Sequence, residues 1–419
     1  MRPDQPEAFL RALFDRAVEA ADPMRSLAAQ LPPKPKGRVV VIGAGKASAR
    51  MAEAVEAEWG PCEGLVITRY GYGRPCQGIE IIEAAHPVPD EAGQVATARM
   101  LALLDGLGPD DYVLALISGG ASALLVHPAK GLTLADKQAV NAALLASGAP
   151  IDKMNIVRKH LSGVKGGQLA AAAHPARMFT MMISDVPGDD PGDIGSGPTV
   201  AERTGPAAAR AILAQWHITP PDAVIRVLMG ASGVVAPGDQ RLSRVENLVY
   251  AAPAQSLRAA AALAEGTKTQ ILGDALEGEA RNVATGHSAL ARDIQDQLGP
   301  DDAPVLLLSG GELTVTRRGD GSGGPNAEYC LALAIALNAA PGIFALACDT
   351  DGVDGAAEVA GAMVGPQTLS MAARAGQDPT QALARNDAHS FFAAIGAQVI
   401  TGPTLTNVND FRAVLIFPT

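Results

Sequence analysis

The sequence predicts an α/β fold organised as two α/β units. Short apolar runs typical of buried strands lead repeatedly into turns of small residues and then into helical patterns, as after Arg38–Ile42 and Tyr112–Ile117. A step from a strand into Ser-Gly-Gly occurs once in each half, at Ser118-Gly119-Gly120 and Ser309-Gly310-Gly311. Because alternating strands and helices form sheets covered by helices, we expect both halves to be of this class.

The composition indicates a globular protein with no surface for nucleic acid or membranes. The 419 residues are 48% hydrophobic and 18% charged, which suits two or three domains with aliphatic cores. The formal net charge of −11 argues against nucleic acid and anionic membranes as partners. It does not exclude a locally basic site that binds an anionic metabolite.

Cysteine usage and the N-terminal segment predict a cytoplasmic location. The four cysteines, Cys62, Cys76, Cys330 and Cys348, show no zinc-type spacing, so we expect unpaired thiols. The chain begins with a polar, acidic segment, and no apolar run reaches about 18 residues. We therefore expect small-molecule partners and leave a homodimer open.

The turn after the first strand predicts an anion site. Gly43-Ala-Gly45-Lys46 leads into a helix expected from Ala47 to Trp59, and the N–H groups at a helix start bind anions. The phosphate-loop motif fails because Val40 replaces its first glycine and Ala47 follows the lysine. The dinucleotide motif fails at its third glycine, where Ser48 stands.

A second basic stretch, residues 152–169, contains Arg158, Lys159, His160 and Lys165 near two glycines. It has two interpretations, a solvated helix face or a further anion site. The glycines and the acidic loop that follows favour the anion site.

Two acidic loops follow predicted strands. The apolar run from Met178 to Ser184 leads into a Gly- and Pro-rich loop that carries Asp185, Asp189 and Asp193. The layout is typical of a metal or phosphate site at the carboxyl edge of an α/β sheet, although a surface loop is the alternative. The second loop, residues 349–355, carries Asp351. Its acidic residues resemble part of a calcium-binding EF-hand loop, but the glutamate that such a loop requires does not stand at the matching position.

A Gly- and Pro-rich stretch from Gly230 to Gly238 predicts the division between the two units. The strand expected from Asn247 to Ala251 would begin the second one. We therefore expect an N-terminal domain over residues 1–235 and a C-terminal domain over residues 236–419.

Eight short motifs occur in one order along nearly the whole chain. They are Gly43-Ala-Gly-Lys46-Ala-Ser48, Ser118-Gly-Gly-Ala-Ser122, Arg158-Lys-His-Leu-Ser-Gly-Val-Lys165-Gly-Gly167, Ser184-Asp-Val-Pro-Gly-Asp-Asp190, Gly195-Ser-Gly-Pro-Thr199, Ser309-Gly-Gly-Glu312, Asp349-Thr-Asp-Gly-Val-Asp-Gly355, and Thr401-Gly-Pro-Thr404 with Asn407-Val-Asn-Asp410. Together they resemble the glycerate 2-kinase family, whose C-terminal part is called the MOFRL domain.

The resemblance implies transfer of phosphate from ATP to the 2-hydroxyl of D-glycerate with Mg²⁺, giving 2-phosphoglycerate. It also implies an N-terminal Rossmann-like doubly wound sheet, a smaller C-terminal MOFRL-type α/β domain with a mixed sheet, and an active site in the interdomain cleft. Family members often carry the label hydroxypyruvate reductase, so an NAD(P)H-dependent reductase is one alternative, against which the failed dinucleotide motif counts. A non-catalytic binder of an anionic metabolite is another.

Two positions depart from the family pattern. Many relatives have arginine where this chain has Pro325, and that arginine is regarded as important. Either Arg158 or the pair Arg317 and Arg318 replaces its charge, or this branch of the family manages the charge differently. Leu405 stands where glycine is common.

The resemblance and the loop patterns together assign roles to named residues. Lys46 would contact the transferring phosphoryl group, Asp185 would orient the substrate hydroxyl, and Asp189 with Asp193 would bind Mg²⁺, with Asp351 as second choice. The residues expected to bind substrate or phosphate are Gly43, Gly45, Ser118, Gly119, Gly120, Arg158, Lys165, Ser309, Gly310, Gly311, Glu312, Asn326 and Asn407.

Overall fold

The structure, a computed structural model, describes residue 1 and residues 3–419. An N-terminal unit covers residues 23–250, and a C-terminal unit joins residues 1–22 to residues 251–419. The predicted division after residue 235 is therefore too early, because the strand Val245–Ala251 is a strand of the N-terminal sheet. Residues 1–22 belong to the other unit because the first helix, α1 (Pro6–Ala21), packs into the C-terminal core.

The N-terminal unit alternates strands and helices. Numbered along the whole chain, its strands are β1 (Val39–Ala44), β2 (Glu63–Arg69), β3 (Ile79–Ala84), β4 (Tyr112–Ile117), β5 (Arg177–Ile183) and β6 (Val245–Ala251). Its helices are α2 (Pro23–Ser26), α3 (Ser48–Trp59), α4 (Glu91–Leu104), α5 (Ala121–Leu124), α6 (Leu134–Ser147), α7 (Ile151–His160), α8 (Gln168–Ala172), α9 (Pro206–Gln215) and α10 (Asp222–Met229). Short 3-10 turns lie at Pro187–Asp189, Ile194–Ser196 and Gln240–Leu242.

These six strands form one sheet in the order β3-β2-β1-β4-β5-β6. Strands β1 to β5 pair in parallel with their neighbours. The chain runs outward from β1 through β2 and β3 and then returns to β4 on the other side of β1. The topological switch point therefore lies between β1 and β4, and ligands of such sheets bind there, outside the carboxyl ends of the strands.

Apolar strands fix the centre of this unit. Strands β1 and β4 are buried along their whole length, as expected for parallel strands that are covered on both faces. A separate apolar cluster joins helices α6, α7, α9 and α10 through side chains such as Leu144, Val157 and Leu228. The helices α6 and α7 are thereby held as a pair beside the sheet.

The C-terminal unit is also α/β. Its strands are β7 (Lys268–Gly273), β8 (Gly278–Glu279), β9 (Val305–Gly311), β10 (Leu313–Thr314), β11 (Ile343–Asp349), β12 (Gly361–Val364), β13 (Gln398–Val399) and β14 (Asp410–Ile416). Besides α1, its helices are α11 (Pro253–Leu263), α12 (Ala280–Gln295), α13 (Pro325–Leu337), α14 (Thr368–Arg374), α15 (Pro379–Ala384) and α16 (Ala388–Ala394).

The main sheet of this unit is mixed, as predicted. Its order is β13-β12-β11-β14-β9-β7, with β7 parallel to β9 and the other pairs antiparallel. The helix α1 buries Phe9, Leu10, Leu13 and Phe14 in one core with Phe411 of β14. Strands β8 and β10 form a separate parallel pair.

Across residues 1 and 3–419, no helix is long and apolar enough to cross a membrane. The helices α1 and α12 have 16 residues each, fewer than the roughly 20 that span a bilayer, and both carry charged side chains.

Candidate active site

Lys46 lies in a tight loop that the segment after β4 holds in place. Its backbone N–H donates to the carbonyl oxygen of Gly119 over 2.8 Å, and the N–H of Ala47 donates to Oγ of Ser118 over 3.1 Å. Gly45 has φ 142°, and a Cβ there would lie 2.0 Å from Oγ of Ser118. Only glycine fits this contact, so the loops after β1 and β4 hold each other at the switch point.

Gly43 does not belong to the loop. It lies within β1, opposite Leu116 of β4, and a Cβ on Gly43 would lie 2.5 Å from the Leu116 carbonyl oxygen. The predicted phosphate-binding role of Gly43 is therefore replaced by a packing role, because its backbone is paired within the sheet.

Gly120 brings Lys46 and His86 to one place. This glycine has φ 83°, and a Cβ on it would lie 3.1 Å from Cδ2 of His86 and 3.2 Å from Cγ of Lys46. Both side chains therefore border the turn after β4, where the parallel sheet is expected to bind its ligand.

A cavity of about 170 Å³ lies at this turn. The loops after β3 and β4, the helices α6 and α7 and the segment after α7 supply its walls. The lining residues are His86, Pro87, Pro89, Gly120, Ser122, Ala123, Lys137, Val140, Asn141, Leu144, Leu145, Val157, Arg158, Leu161 and Lys165. The cavity thus combines a polar, cationic part with an apolar wall from the helices, as small-molecule sites commonly do.

Three cations line the cavity, and two of them have no hydrogen-bond partner among the described residues. The Nζ atoms of Lys137 and Lys165 are buried and unpartnered, and Lys165 is only 1% exposed. Arg158 is held by its neighbours: its Nε donates to Oδ1 of Asn141 over 2.9 Å, and its Nη1 lies 3.4 Å from Oδ1 of Asn155. No carboxylate is among the described lining residues.

Burial and mutual repulsion shift the pKa of each cation. Burial, followed by the charge of Arg158, lowers the pKa of Lys137 to about 8. Burial lowers the pKa of Lys165 well below its usual value, and the charges of Lys137 and Arg158 add to that shift. An unpaired buried ammonium is costly, so the arrangement favours a bound anion.

A chain of hydrogen bonds runs from the cavity to the acidic loop after β5. The hydroxyls of Ser122 and Ser196 are 2.7 Å apart, and Oγ of Ser196 donates to Oδ1 of Asn155 over 3.1 Å. Nδ2 of Asn155 lies 3.4 Å from Oδ1 of Asp193. Asp193 is therefore linked to the cavity wall through side chains of α5, the turn Ile194–Ser196 and α7.

Asp193 also lies near a buried ion pair. Nζ of Lys159 is 2.7 Å from Oε2 of Glu202 and 4.0 Å from Oδ1 of Asp193. Burial raises the pKa of Asp193, although the charge of Lys159 opposes that effect. Lys159, predicted as part of an anion site, is thus engaged by carboxylates of its own unit.

The carboxylates predicted for Mg²⁺, Asp189 with Asp193 and Asp351 as second choice, are not joined by further metal-ligating side chains in the part of the chain that the structure describes. Among the described residues, no three His, Cys, Asp or Glu side chains lie together as metal ligands. Asp189 is half-buried in the turn Pro187–Asp189 with φ 55°, and Asp193 contacts Asn155 and Lys159, whereas Asp351 belongs to the C-terminal unit. Asp185 is half-buried two residues after β5.

Comparisons with known proteins decide the family. Residues 9–229 match the family described as Domain of unknown function (DUF4147), and residues 305–410 match the MOFRL family. An Agrobacterium vitis protein with the provisional name hydroxypyruvate reductase is 52% identical over 97% of this chain and 94% of its own. The D-glycerate 2-kinase of Thermotoga maritima is 36% identical over 96% of this chain and 97% of its own. The crystal structure of a glycerate kinase from Thermotoga maritima matches with a TM-score of 0.86 and 35% identity, covering 99% of this chain and 100% of that one.

The chain belongs to the glycerate 2-kinase family. The predicted resemblance, the fold class and the assignment as a kinase are confirmed by these matches. The glycerate 2-kinase relatives match along nearly the whole length of the chain.

In this member of the glycerate 2-kinase family, the second Ser-Gly-Gly differs from the first. Ser309, Gly310 and Gly311 lie within β9 and pair with β14. A Cβ on Gly311 would lie 2.2 Å from the backbone nitrogen of Leu276, so close packing requires this glycine. The prediction that the N–H groups of these residues form an open phosphate-binding loop is therefore wrong, because their backbone is paired within the sheet.

The other predicted residues of the C-terminal unit belong to its internal network or its surface. Asn326 donates through Nδ2 to Oδ1 of Asp410 over 2.7 Å, and its own Oδ1 is buried without a partner among the described residues. Asp351 is fully buried and accepts from the N–H of Val353 over 2.8 Å. Asn407 accepts the N–H of Asn409 over 3.2 Å, and Glu312 is exposed.

Pro325 begins helix α13, a position where proline is favoured. Of the arginines considered as replacements for the family arginine, Arg317 donates to the carbonyl oxygen of Gly321 over 2.9 Å, and the backbone N–H of Arg318 donates to Oδ1 of Asn386 over 2.7 Å. Arg158 is the one of the three that lines the cationic cavity.

Sequence reasoning missed three residues of the cavity wall. His86, Lys137 and Asn141 belong to none of the motifs, and all three line the cavity. The available signal was the spacing of Lys137 and Asn141, four residues apart on one face of a helix after the Thr133 capping box.

Proposed function

We propose that this chain transfers a phosphoryl group from ATP to the 2-hydroxyl of D-glycerate, with Mg²⁺, and releases 2-phosphoglycerate. The observation that carries the proposal is the cavity at the switch point, where three cations surround a space beside the Lys46 loop. The D-glycerate 2-kinase relative supports the choice of substrate.

Arg158 and Lys165 would bind the glycerate carboxylate. The guanidinium of Arg158 is oriented by Asn141 and Asn155, and the buried ammonium of Lys165 has no partner among the described residues. An oriented guanidinium and a desolvated ammonium bind a carboxylate strongly because both hydrogen bonds are charge-assisted. Positioning of this kind supplies much of the rate in phosphoryl transfer.

Lys46 would neutralise charge on the transferring phosphoryl group. Its loop is fixed by the contacts with Ser118 and Gly119, so the ammonium would need little reorganisation during reaction. Asp185, half-buried beyond the end of β5, would accept a hydrogen bond from the 2-hydroxyl and orient it.

The residues present fit Mg²⁺ that arrives with the nucleotide. Mg²⁺ is commonly bound by one or two carboxylates together with waters and substrate phosphates, and Asp189 and Asp193 are two half-buried carboxylates on one loop. When bound, the ion would neutralise phosphate charge. Asp193 would exchange its contact with Lys159 for this role.

A paired assay on one purified sample tests the proposal. One portion receives D-glycerate, ATP and Mg²⁺, and phosphorus NMR locates the new phosphate; the other receives hydroxypyruvate with NADH or NADPH. We expect phosphate on the 2-hydroxyl and no nucleotide oxidation. Oxidation without phosphorylation would overturn the proposal and support the name of the Agrobacterium vitis relative, and silence in both portions would favour a non-catalytic binder.

A further inference from the structure

We infer that Lys137 makes the cavity select for the phosphorylated acid, so that 2-phosphoglycerate binds there more tightly than D-glycerate and inhibits the enzyme as a competitor of glycerate. The inference rests on the proposed function, because it names the ligand of the same cavity. It adds a specificity role for a residue that the motifs and the proposed reaction leave unused.

When all three basic side chains of the cavity are protonated, their charge exceeds what glycerate can neutralise. Lys137, Arg158 and Lys165 all line it, and no carboxylate does so among the described residues. Glycerate carries one negative charge, and Arg158 with Lys165 suffice to bind it. The phosphorylated acid adds a further −1.5 to −2, about the charge of a phosphate monoester at pH 7.

The position of Lys137 suits a group attached to a bound acid. Lys137 and Asn141 lie one turn apart on α6, and Asn141 holds Arg158 by a hydrogen bond of 2.9 Å. Lys137 therefore faces the same space as the residue proposed to bind the carboxylate. Its buried Nζ has no hydrogen-bond partner among the described residues, so the amine is available to a second anionic group.

Cavity size favours a small acid over a nucleotide. The cavity has a volume of about 170 Å³, below the roughly 300–1,000 Å³ of sites that enclose drug-sized ligands. The phosphate that Lys137 contacts would thus belong to a three-carbon acid. A nucleotide phosphate carries the same kind of anionic group and is the other source to test. Binding of ADP distinguishes these two sources.

Isothermal calorimetry on the full chain, without Mg²⁺, tests the inference directly. We expect 2-phosphoglycerate to bind about tenfold or more tightly than D-glycerate, and Lys137→Met to remove most of that difference while changing glycerate affinity by less than about threefold. Lys130→Met, which removes an exposed lysine nearby in sequence, should leave the ratio unchanged. Equal affinities in the wild type, or an unchanged ratio in Lys137→Met, would overturn it.

Two further measurements use the wild-type protein alone, so they do not depend on whether a variant folds. One adds ADP and the other changes the pH. Prior saturation with ADP should leave the affinity for 2-phosphoglycerate unchanged; competition would assign the cavity to the nucleotide. In the wild type, affinity for 2-phosphoglycerate should rise from pH 5 to pH 7 as the phosphate loses its second proton near pH 6. Affinity for D-glycerate should rise much less, and parallel curves would contradict the inference.

These binding results are separable from the proposed reaction. If the protein binds 2-phosphoglycerate more tightly but fails the phosphorus NMR assay, the role of Lys137 is supported and the kinase proposal is overturned. If the protein phosphorylates glycerate but binds both acids equally, the kinase proposal is supported and the role of Lys137 is overturned.

Discussion

The backbone N–H of Lys46 donates to the carbonyl oxygen of Gly119 over 2.8 Å, joining the loop after β1 to the loop after β4. Ser118 reinforces the junction by accepting the N–H of Ala47. The backbone at Lys46 is therefore positioned by two adjacent parallel strands, which are among the most buried elements of the unit.

Gly45→Ala should break this junction. A Cβ on Gly45 would lie 2.0 Å from Oγ of Ser118 on a backbone with φ 142°, so we expect a loss of roughly 3 kcal/mol or more in unfolding free energy. Gly148→Ala is the matched control, because Gly148 lies in the left-handed helical region with φ 72° and ψ 16°, has no atom near its Cβ position, and should lose only about 1–2 kcal/mol.

Tryptophan fluorescence during urea unfolding measures both variants. Trp59 and Trp216 are the only tryptophans of the chain, and both lie within residues 23–250, so the signal reports the N-terminal unit. Equal losses in the two variants would contradict the contact with Ser118.

Lys46→Met should lower kcat for glycerate phosphorylation by about 10²-fold or more, the size seen when one preorganised charge-stabilising group is removed. The unfolding free energy should change by less than about 1 kcal/mol, because Lys46→Met keeps the backbone N–H that donates to Gly119 and a side chain of similar length. Lys36→Met, at an exposed lysine, is the control. A fully active Lys46→Met enzyme would remove Lys46 from the mechanism.

The sequence predicted the α/β units better than it predicted the site. Strands β1 and β4 are apolar throughout and lead into Gly-Lys and Ser-Gly-Gly turns, so their neighbourhood follows from local patterns. The second Ser-Gly-Gly has the same letters, but Gly311 is required by the approach of Leu276, a contact between segments distant in sequence. The three letters Ser-Gly-Gly alone do not show whether a glycine is required by an open turn, as at Gly120, or by close packing, as at Gly311.

The cavity lysines show the same limit. Lys165 stands in a basic stretch, and a solvated helix face was the competing interpretation; tertiary packing buries it to 1% exposure. Lys137 follows an ordinary capping box at the start of α6, and its amine is enclosed by tertiary packing around a cavity that several segments line. The acidic loop was recognised, yet the pairing of Lys159 with Glu202 depends on a fold-level contact.

Anion binding in the cavity should weaken at alkaline pH. The pKa of Lys137 is lowered to about 8 by burial and by Arg158, and that of Lys165 is lowered as well. A bound anion favours the protonated amines and raises their pKa values, so 2-phosphoglycerate should bind with proton uptake near pH 8. Its affinity should fall as pH rises further.

Calorimetry in buffers of different ionisation enthalpy measures that uptake. Arg158 stays protonated and influences both lysines, and the pKa of His127 is lowered by burial and by Lys137. The titratable imidazole of His86 also lines the cavity. Lys137→Met should reduce the uptake. An affinity independent of pH between 7 and 9.5 would show that neither lysine contacts the anion.

The last prediction concerns the buried ion pair of Lys159 and Glu202, whose charged atoms are 2.7 Å apart and whose side chains are each 8% exposed. Lys159→Met should cost about 3–5 kcal/mol, because it leaves Glu202 charged, buried and without its cation. The exposed pair of Arg38 and Glu63 gives the control, since Arg38→Met should cost less than about 1 kcal/mol.

Acid and a second substitution separate pairing from packing. Burial raises the pKa of Glu202, but Lys159 and Thr204 outweigh it and lower the pKa, so the pair stabilises the wild type above about pH 4.3 and less as pH falls through the folded pKa. In Lys159→Met the pKa should instead be raised, and the stability deficit should shrink toward pH 4. Adding Glu202→Leu should recover most of the loss at pH 7, because it removes the unpaired charge. If the double variant were as unstable as Lys159→Met, the lysine stem rather than the ion pair would be the stabilising contact.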